Sequence, residues 1–341
     1  MTRERFHAVT ERYALLQIAV LGDFCLVRYL EIDPARHEIS LETNLPVHNV
    51  VNVRAQPGGA GTILNNLLAL GAGTLWPVGF CGDDGEGYEL SVALSRPAAV
   101  RLDHFLRTDR RRTFTYCKPL VLQPNQPPRE LNRLDSKNWS PTPAEVEDAL
   151  IAAVRHLAPE VNALILLDQV DHLDTGVVTQ RVRAAVDDLA RQRPDLLILA
   201  DSRRGLTGFP PVGFKMNAAE LSLLTDLPRD ADLGQIQQAA AALADRNRRP
   251  VFVTLAERGI VGALADGTVG HVPALPLRGP IDIVGAGDAV TANLACALAA
   301  GATLHEGLEL AMAAASLVIH QLGTTGTASV AQIQELLASL A

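Results

Sequence analysis

Strand-length aliphatic runs alternate with stretches of helical period along most of this chain, and no other feature restricts its possible folds as much. Residues 16–22 (LQIAVLG), 74–80 (TLWPVGF), 163–168 (ALILLD), 196–201 (LLILAD) and 251–256 (VFVTLA) are short, apolar and bounded by turn residues. Strands covered on both faces read in this way. Helical spacing fills 62–72, a stretch beginning within 85–94, 175–192 and 233–246, and three alanine-rich helices close the chain. Parallel neighbours need long crossovers, which such helices supply. The expected fold is therefore α/β, with a doubly wound, mostly parallel sheet and helices on both faces. The 341 residues contain no internal repeat and no low-complexity linker, so 1–341 reads as one domain.

Two segments break the rhythm. Residues 31–54 and 113–135 alternate polar and apolar side chains, as in RTFTYCKPLVL, with prolines between them. Half-exposed antiparallel strands have that pattern. They are expected to form a small β-strand lid over the open end of the sheet, where closure would exclude water from a reacting phosphate.

Composition narrows the partners. Hydrophobic residues make up 48% and aromatics 4%, which suits aliphatic helices packed on a sheet. The formal charge of −8 argues against nucleic acid or an anionic membrane as the main partner. Arg110, Arg111 and Arg112, like Arg246, Arg248 and Arg249, read as solvated surface. Cys25, Cys81, Cys117 and Cys296 form no C-x-x-C pair, which fits packed thiols in a reducing compartment. The nine histidines lack metal-ligand spacing. A polar N-terminus and the absence of any apolar run long enough to span a bilayer point to a cytoplasmic protein.

The stretch PIDIVGAGDAVTANLACALAAG carries the chemistry. Each glycine costs a helix roughly 1 kcal/mol relative to alanine, so Gly285 and Gly287 at a helix start need an offsetting purpose. Unpaired N–H groups and the dipole at that end attract phosphate, and small residues let an anion approach them. Gly285, Ala286 and Gly287 thus read as an anion hole. Asp288 reads as the base that takes a proton from an attacking hydroxyl, or as an acidic first-turn residue favourable to the dipole.

These residues belong to a larger set. DIVGAGDAV, PGGAGTILNNLLALGA (57–72), GDDGEG (82–87), KMNAAEL (215–221) and VTLAERG (253–259) occur in an order that resembles the PfkB (ribokinase-like) family of carbohydrate kinases. Within it, AVLGDFCLVRYL, RELNRLD, LAAGATLHEGLELAMAAA and LGTTG are similar to the heptose 7-phosphate kinase portion of ADP-heptose synthases.

The resemblance implies ATP-dependent phosphorylation of a hydroxyl on a sugar or sugar phosphate, a heptose 7-phosphate-like acceptor included. It implies Asp288 as catalytic base. Asn217 and Glu220 would organise magnesium and phosphate indirectly, with an ordinary helix cap as their alternative. Thr254, Glu257, Gly259 and Met312 would line the nucleotide site, Met312 either as adenine wall or as plain core. Gly58, Gly59, Thr62 and Asn66 fall where sugar binds, with a tight strand–helix turn as the alternative for the two glycines and packing inside its helix as the alternative for Asn66. Asp23 reads equally as a substrate contact or a loop cap, and Lys118 and Arg133 on the lid strands as reaching a substrate phosphate or solvent. Asp201 would lie near the phosphates, and Asp282 beside a monovalent cation. The family also implies a homodimer formed through the lid.

Departures gather around the sugar. Val27 stands where relatives carry an aspartate that holds sugar hydroxyls, and Thr62 stands where they carry an asparagine. Near the nucleotide, Ile283 replaces the usual threonine and Met312 an asparagine. Val27 and Thr62 motivate an alternative reading, a non-catalytic sugar- or nucleotide-binding regulator. A dinucleotide-dependent oxidoreductase is disfavoured because GGAGTILNN lacks the G-x-G-x-x-G spacing.

Overall fold

The computed structural model describes residues 1–124 and 126–340. Position 125, inside the second expected lid segment, and position 341 lie outside the described residues. Among these residues a nine-stranded sheet runs, from edge to edge, Val269–Val272, Ile260–Ala263, Val251–Thr254, Gly213–Asn217, Leu197–Ser202, Ala163–Asp168, Gln17–Gly22, Thr74–Gly82 and Phe105–Thr108. Neighbours from Val251–Thr254 to Phe105–Thr108 are parallel. Only the pairings at the other edge are antiparallel. The expected mostly parallel α/β sheet is therefore the observed one.

Alternation along the central strands divides the apolar core. Ala19 and Leu21 join one buried cluster with Leu164 and Leu166. Ile18 and Val20 join another with Ala163, Ile165 and Leu167. Successive side chains of a strand point to opposite faces, so a continuous apolar run is what a sheet covered on both sides requires. The chain starts in the middle of the sheet, builds outward to one edge, then returns to build the other. Gln17–Gly22 and Ala163–Asp168 consequently flank the point where strand order reverses, the place where open α/β sheets bind ligands.

A second sheet orders Val50–Gly59, Phe24–Ile32, Phe114–Val121 and Leu134–Ser136, with Arg129–Glu130 beside Phe114–Val121. This lid is larger than 31–54 and 113–135 imply. Phe24–Ile32 begins it one residue after the central strand ends, and its first half is buried, so polar–apolar alternation could not reveal it. Much of 31–54 is instead the 3-10 turn Pro34–Arg36 and the short pair Glu38–Ile39 with Pro46–Val47.

Other boundaries shift for local reasons. Helix Gln180–Gln192 starts later than expected, capped by Thr179, because 170–179 forms the loop that receives Asp23. Strand Val251–Thr254 ends early, since Ala256 takes φ 50° in the turn Ala256–Arg258. Arg111 is not solvated surface. It is buried, donating to the carbonyls of Thr175 at 2.6 Å, Ser140 at 3.0 Å and Pro141 at 3.2 Å. A guanidinium with several carbonyl acceptors is a stable interior group.

Gly59 joins the two sheets tightly. Its φ is +59°, and a Cβ there would lie 2.4 Å from the Asp23 carbonyl oxygen. Strain at such a site costs about 1–3 kcal/mol. Gly59→Val is expected to lower the melting temperature by roughly 4 °C or more. An unchanged thermal unfolding midpoint would show that this junction relaxes freely.

Candidate active site

Helix Ala286–Ala299 begins at Gly285, whose φ of 85° and ψ of −6° turn the chain into the helix without a side-chain cap. Asp282 supports the approach. Its amide donates to the Ile319 carbonyl at 2.7 Å, and its Oδ1 accepts from Val284 N at 3.0 Å. The amide of Ala286, expected in the anion hole, donates back to Ile283 O at 3.2 Å and so serves the turn in this structure. The amides of Gly285, Gly287 and Asp288 have no such acceptor among the described residues. An anion hole built here uses those three.

Beneath the turn lies a buried charge cluster. Lys215, in the middle of strand Gly213–Asn217, places Nζ 2.7 Å from Asp201 Oδ2, and Thr291 Oγ1 donates to the same oxygen at 3.2 Å. A Cβ on Gly287 would sit 2.9 Å from Lys215 Nζ, so the ammonium presses against the underside of the Gly285–Gly287 turn. Burial alone would lower the Lys215 pKa; Asp201 overrides it, with Asp288 and Glu220 adding, and the net direction is upward. Burial, then repulsion from Asp201, pushes Asp288 up to about 7 against the pull of Lys215. That range suits a base working near neutrality.

Asp288 opens onto a cavity of about 170 Å³ between the two sheets. Of the expected sugar-side residues, Asp23, Gly58, Gly59, Thr62, Lys118 and Arg133 line it, together with Val27. Asn66 does not. It is fully buried, with Nδ2 donating to the carbonyls of Thr62 at 3.0 Å and Gly326 at 3.4 Å, and it ties its helix to the 324–327 loop. Both oxygens of Asp23 accept backbone amides, Oδ1 from Val177 and Oδ2 from Gln169, each at 2.7 Å. Burial, reinforced by Asp168, still pushes Asp23 up to about 7. Its loop-capping alternative is thus the occupied one. Gly58 is demanded by packing as well, since a Cβ there would meet Val27 Cγ2 at 2.6 Å and Cys25 Sγ at 2.9 Å.

On the nucleotide side, Asn217 and Glu220 form a capping box, with Glu220 N donating to Asn217 Oδ1 at 3.0 Å and Asn217 N to Glu220 Oε2 at 2.7 Å. Burial raises the Glu220 pKa, opposed by the Asn217 amide and reinforced by Asp201. Thr254 Oγ1 donates to Met216 O at 3.3 Å, Glu257 is exposed on its turn, and Gly259 takes φ 92°. Met312 is buried with Leu199, Phe252, Ile260 and Val290, which accords with its reading as core.

Residue-by-residue reading missed Lys215, Tyr116, Gln169 and Thr325, which join this region. Lys215 had a legible signal: a lysine inside the apolar strand pattern GFKM is costly unless a carboxylate meets it. Thr325 lay within LGTTG without a role; its Cβ lies 3.5 Å from where a Gly285 side chain would begin.

Residues 17–331 match the profile of the pfkB family carbohydrate kinases. "Bifunctional protein HldE" of Azorhizobium caulinodans is 33% identical over 311 residues, 91% of this chain and 62% of that protein. The protein of the same name from Gluconacetobacter diazotrophicus is 31% identical, over 94% of this chain and 63% of its own length. The chain thus spans about 62–63% of the length of these curated relatives. Arabidopsis thaliana ribokinase complexed with ribose and ATP has the same fold, with a TM-score of 0.66 at 20% identity, covering 94% of this chain and 98% of that one. Escherichia coli phosphofructokinase-2 in complex with fructose-6-phosphate gives a TM-score of 0.70 at 17% identity, covering 95% and 99%.

Proposed function

The chain belongs to the pfkB family of carbohydrate kinases, and on that premise we propose that it transfers the γ-phosphoryl group of ATP to a hydroxyl of a sugar or sugar phosphate with Asp288 as general base. The observation carrying this reading is the Asp288 carboxylate on the cavity wall, in the first turn of a helix whose leading amides lack partners.

The acceptor hydroxyl lies against Asp288, which removes its proton as the oxygen attacks phosphorus. The amides of Gly285, Gly287 and Asp288 hold the charge that develops on the transferred group, and Lys215 keeps the turn positive from below. Three carboxylates, Asp201, Glu220 and Asp288, surround one ammonium, so the cluster carries excess negative charge that fits a cation arriving with the nucleotide. Glu220 with Asn217 would hold the water shell of magnesium arriving with ATP, which would supply charge neutralisation of the phosphates. A monovalent cation beside Asp282 would steady the loop before the anion hole. Lys118 and Arg133 receive a phosphate carried by the acceptor, a heptose 7-phosphate-like molecule on the resemblance of AVLGDFCLVRYL and RELNRLD described above. The second sheet closes over this site as a lid, and two copies pair through it. No helix among the described residues is long and apolar enough to cross a membrane.

An ADP-release assay over a panel of sugars and sugar phosphates tests the reading. Because the catalytic carboxylate is needed ionised and Asp288 is raised to about 7, kcat/KM is expected to fall about tenfold per pH unit below 7 and to level off above it. No stimulation of ADP release by any acceptor, with tight ligand binding retained, favours the regulatory alternative.

A further inference from the structure

Gly285 starts its helix with no side chain of its own to brace the turn, and two neighbours press on the place where one would begin: Thr325 Cβ at 3.5 Å and Thr62 Cγ2 at 3.6 Å. Thr62 is fixed within helix Ala60–Ala69. Thr325 belongs to the loop 322–326, which Gln321 closes at its base, donating from Nε2 to Thr327 O at 2.7 Å and accepting at Oε1 from Thr327 N at 3.2 Å. The tip of that loop is held by the lid. Gln56 Nε2 donates to Thr325 Oγ1 at 2.6 Å, and Gln56 Oε1 accepts from Thr324 Oγ1 at a longer 3.4 Å, so both ends of one carboxamide are engaged.

Gln56 differs from the rest of its strand face. Asn52 and Arg54, at the preceding alternate positions of Val50–Gly59, both donate to Glu31 inside the lid sheet. Gln56 continues that series but is half-buried and reaches out of the sheet to the loop. It lies opposite Val27 in register, so it shares the face that Val27 turns to the cavity, and Thr325 lines the same cavity. It also stands three residues before the Gly59 junction, about 10 Å along an extended strand. Rotation of the lid about that junction displaces Gln56 less than the outer strands, so a tie placed there survives a swing of the lid tip.

We propose that Gln56 is a positioning residue for phosphoryl transfer: by holding Thr325 against Gly285 it sets the amides of Gly285, Gly287 and Asp288 for a terminal phosphoryl group and keeps them in register with an acceptor under the lid. This rests on the kinase reading above and goes beyond it, because it assigns the placing of those amides to a residue of the second sheet.

A pair of nucleotides tests it without any acceptor. Titration calorimetry with a non-hydrolysable ATP analogue and with ADP, both with magnesium, compares a ligand that carries the terminal phosphoryl group with one that lacks it. Gln56→Ala and Thr325→Val are each expected to weaken the ATP analogue by about five- to tenfold, the worth of one neutral hydrogen bond, and to leave ADP within about twofold. Thr325→Ser, which restores the hydroxyl, should recover most of the loss seen with valine. Gln56→Ala combined with Thr325→Val should bind no more weakly than the weaker single variant, since both remove the same bond. A general loosening of the fold would move the two nucleotides together, so their ratio separates positioning from stability. Equal losses for both nucleotides, no loss for either, or losses that multiply in the double variant overturn the proposal and leave the kinase reading standing. An unaltered protein that binds neither nucleotide overturns the kinase reading and the proposal with it.

Discussion

Asp288→Asn is expected to lower kcat by about 10²- to 10⁴-fold while ATP affinity stays within about threefold of the original. Asparagine keeps the shape of the first turn and can accept a hydrogen bond, but it cannot take a proton. The substitution also removes a carboxylate that burial and Asp201 both disfavour. The folded protein should consequently melt no lower than the parent at pH 8. Stopped-flow or steady-state ADP release together with calorimetric ATP binding separates the effects. Retained turnover in a well-folded preparation would remove Asp288 from the chemistry; lost ATP binding would reassign it to nucleotide recognition.

Lys215→Met should have the largest effect on stability. Among the described residues the ammonium is the only cation hydrogen-bonded to the buried Asp201 carboxylate, whose remaining side-chain partner is the Thr291 hydroxyl. Breaking a buried pair on one side costs about 3–5 kcal/mol because the other charge is left unpaired. For a chain of this size that is a fall in melting temperature of roughly 6 °C or more. Adding Asp201→Asn should recover more than half of the loss, as double-mutant cycles show for directly coupled groups. A single variant that melts normally would mean that the pair is solvated and carries no such burden. If the doubly substituted protein regains stability but not turnover, the cluster serves catalysis as well as folding.

Much of the fold was legible because strands covered on both faces leave continuous apolar runs. Ala163–Asp168 is found with its expected bounds, and the three closing helices lie where alanine-rich sequence put them. What escaped was set by contacts between distant segments. The lid strand Phe24–Ile32 is buried at its inner half by the main sheet, so its pattern resembles an interior strand. The loop at 170–179 has helix-compatible composition, but Asp23 draws the amides of Gln169 and Val177 away from a helix. Arg111 looked like part of a basic surface run until carbonyls from Ser140, Pro141 and Thr175 converged on it.

The site divides in the same way. Gly285, Gly287 and Asp288 are contiguous, so short-range pattern was enough to single them out. Asn66 and Met312 each kept two readings in the sequence because their helices expose and bury alternate faces, and only packing decides which face a residue occupies. The Lys215–Asp201 pair joins two strands and needed the sheet order to bring it together.

Asp23 is the only residue between the central strand of one sheet and the first strand of the other, and the returning strand leads directly from Gly59 into helix Ala60–Ala69. Outgoing and incoming chain therefore cross side by side, stitched by Ala60 N to Asp23 O at 3.0 Å. Such a mounting behaves like a short axle: it transmits torque but permits little sliding. Movement of the second sheet would then reach the cavity as rotation about Asp23 and Gly59 rather than as a slide along helix Ala60–Ala69.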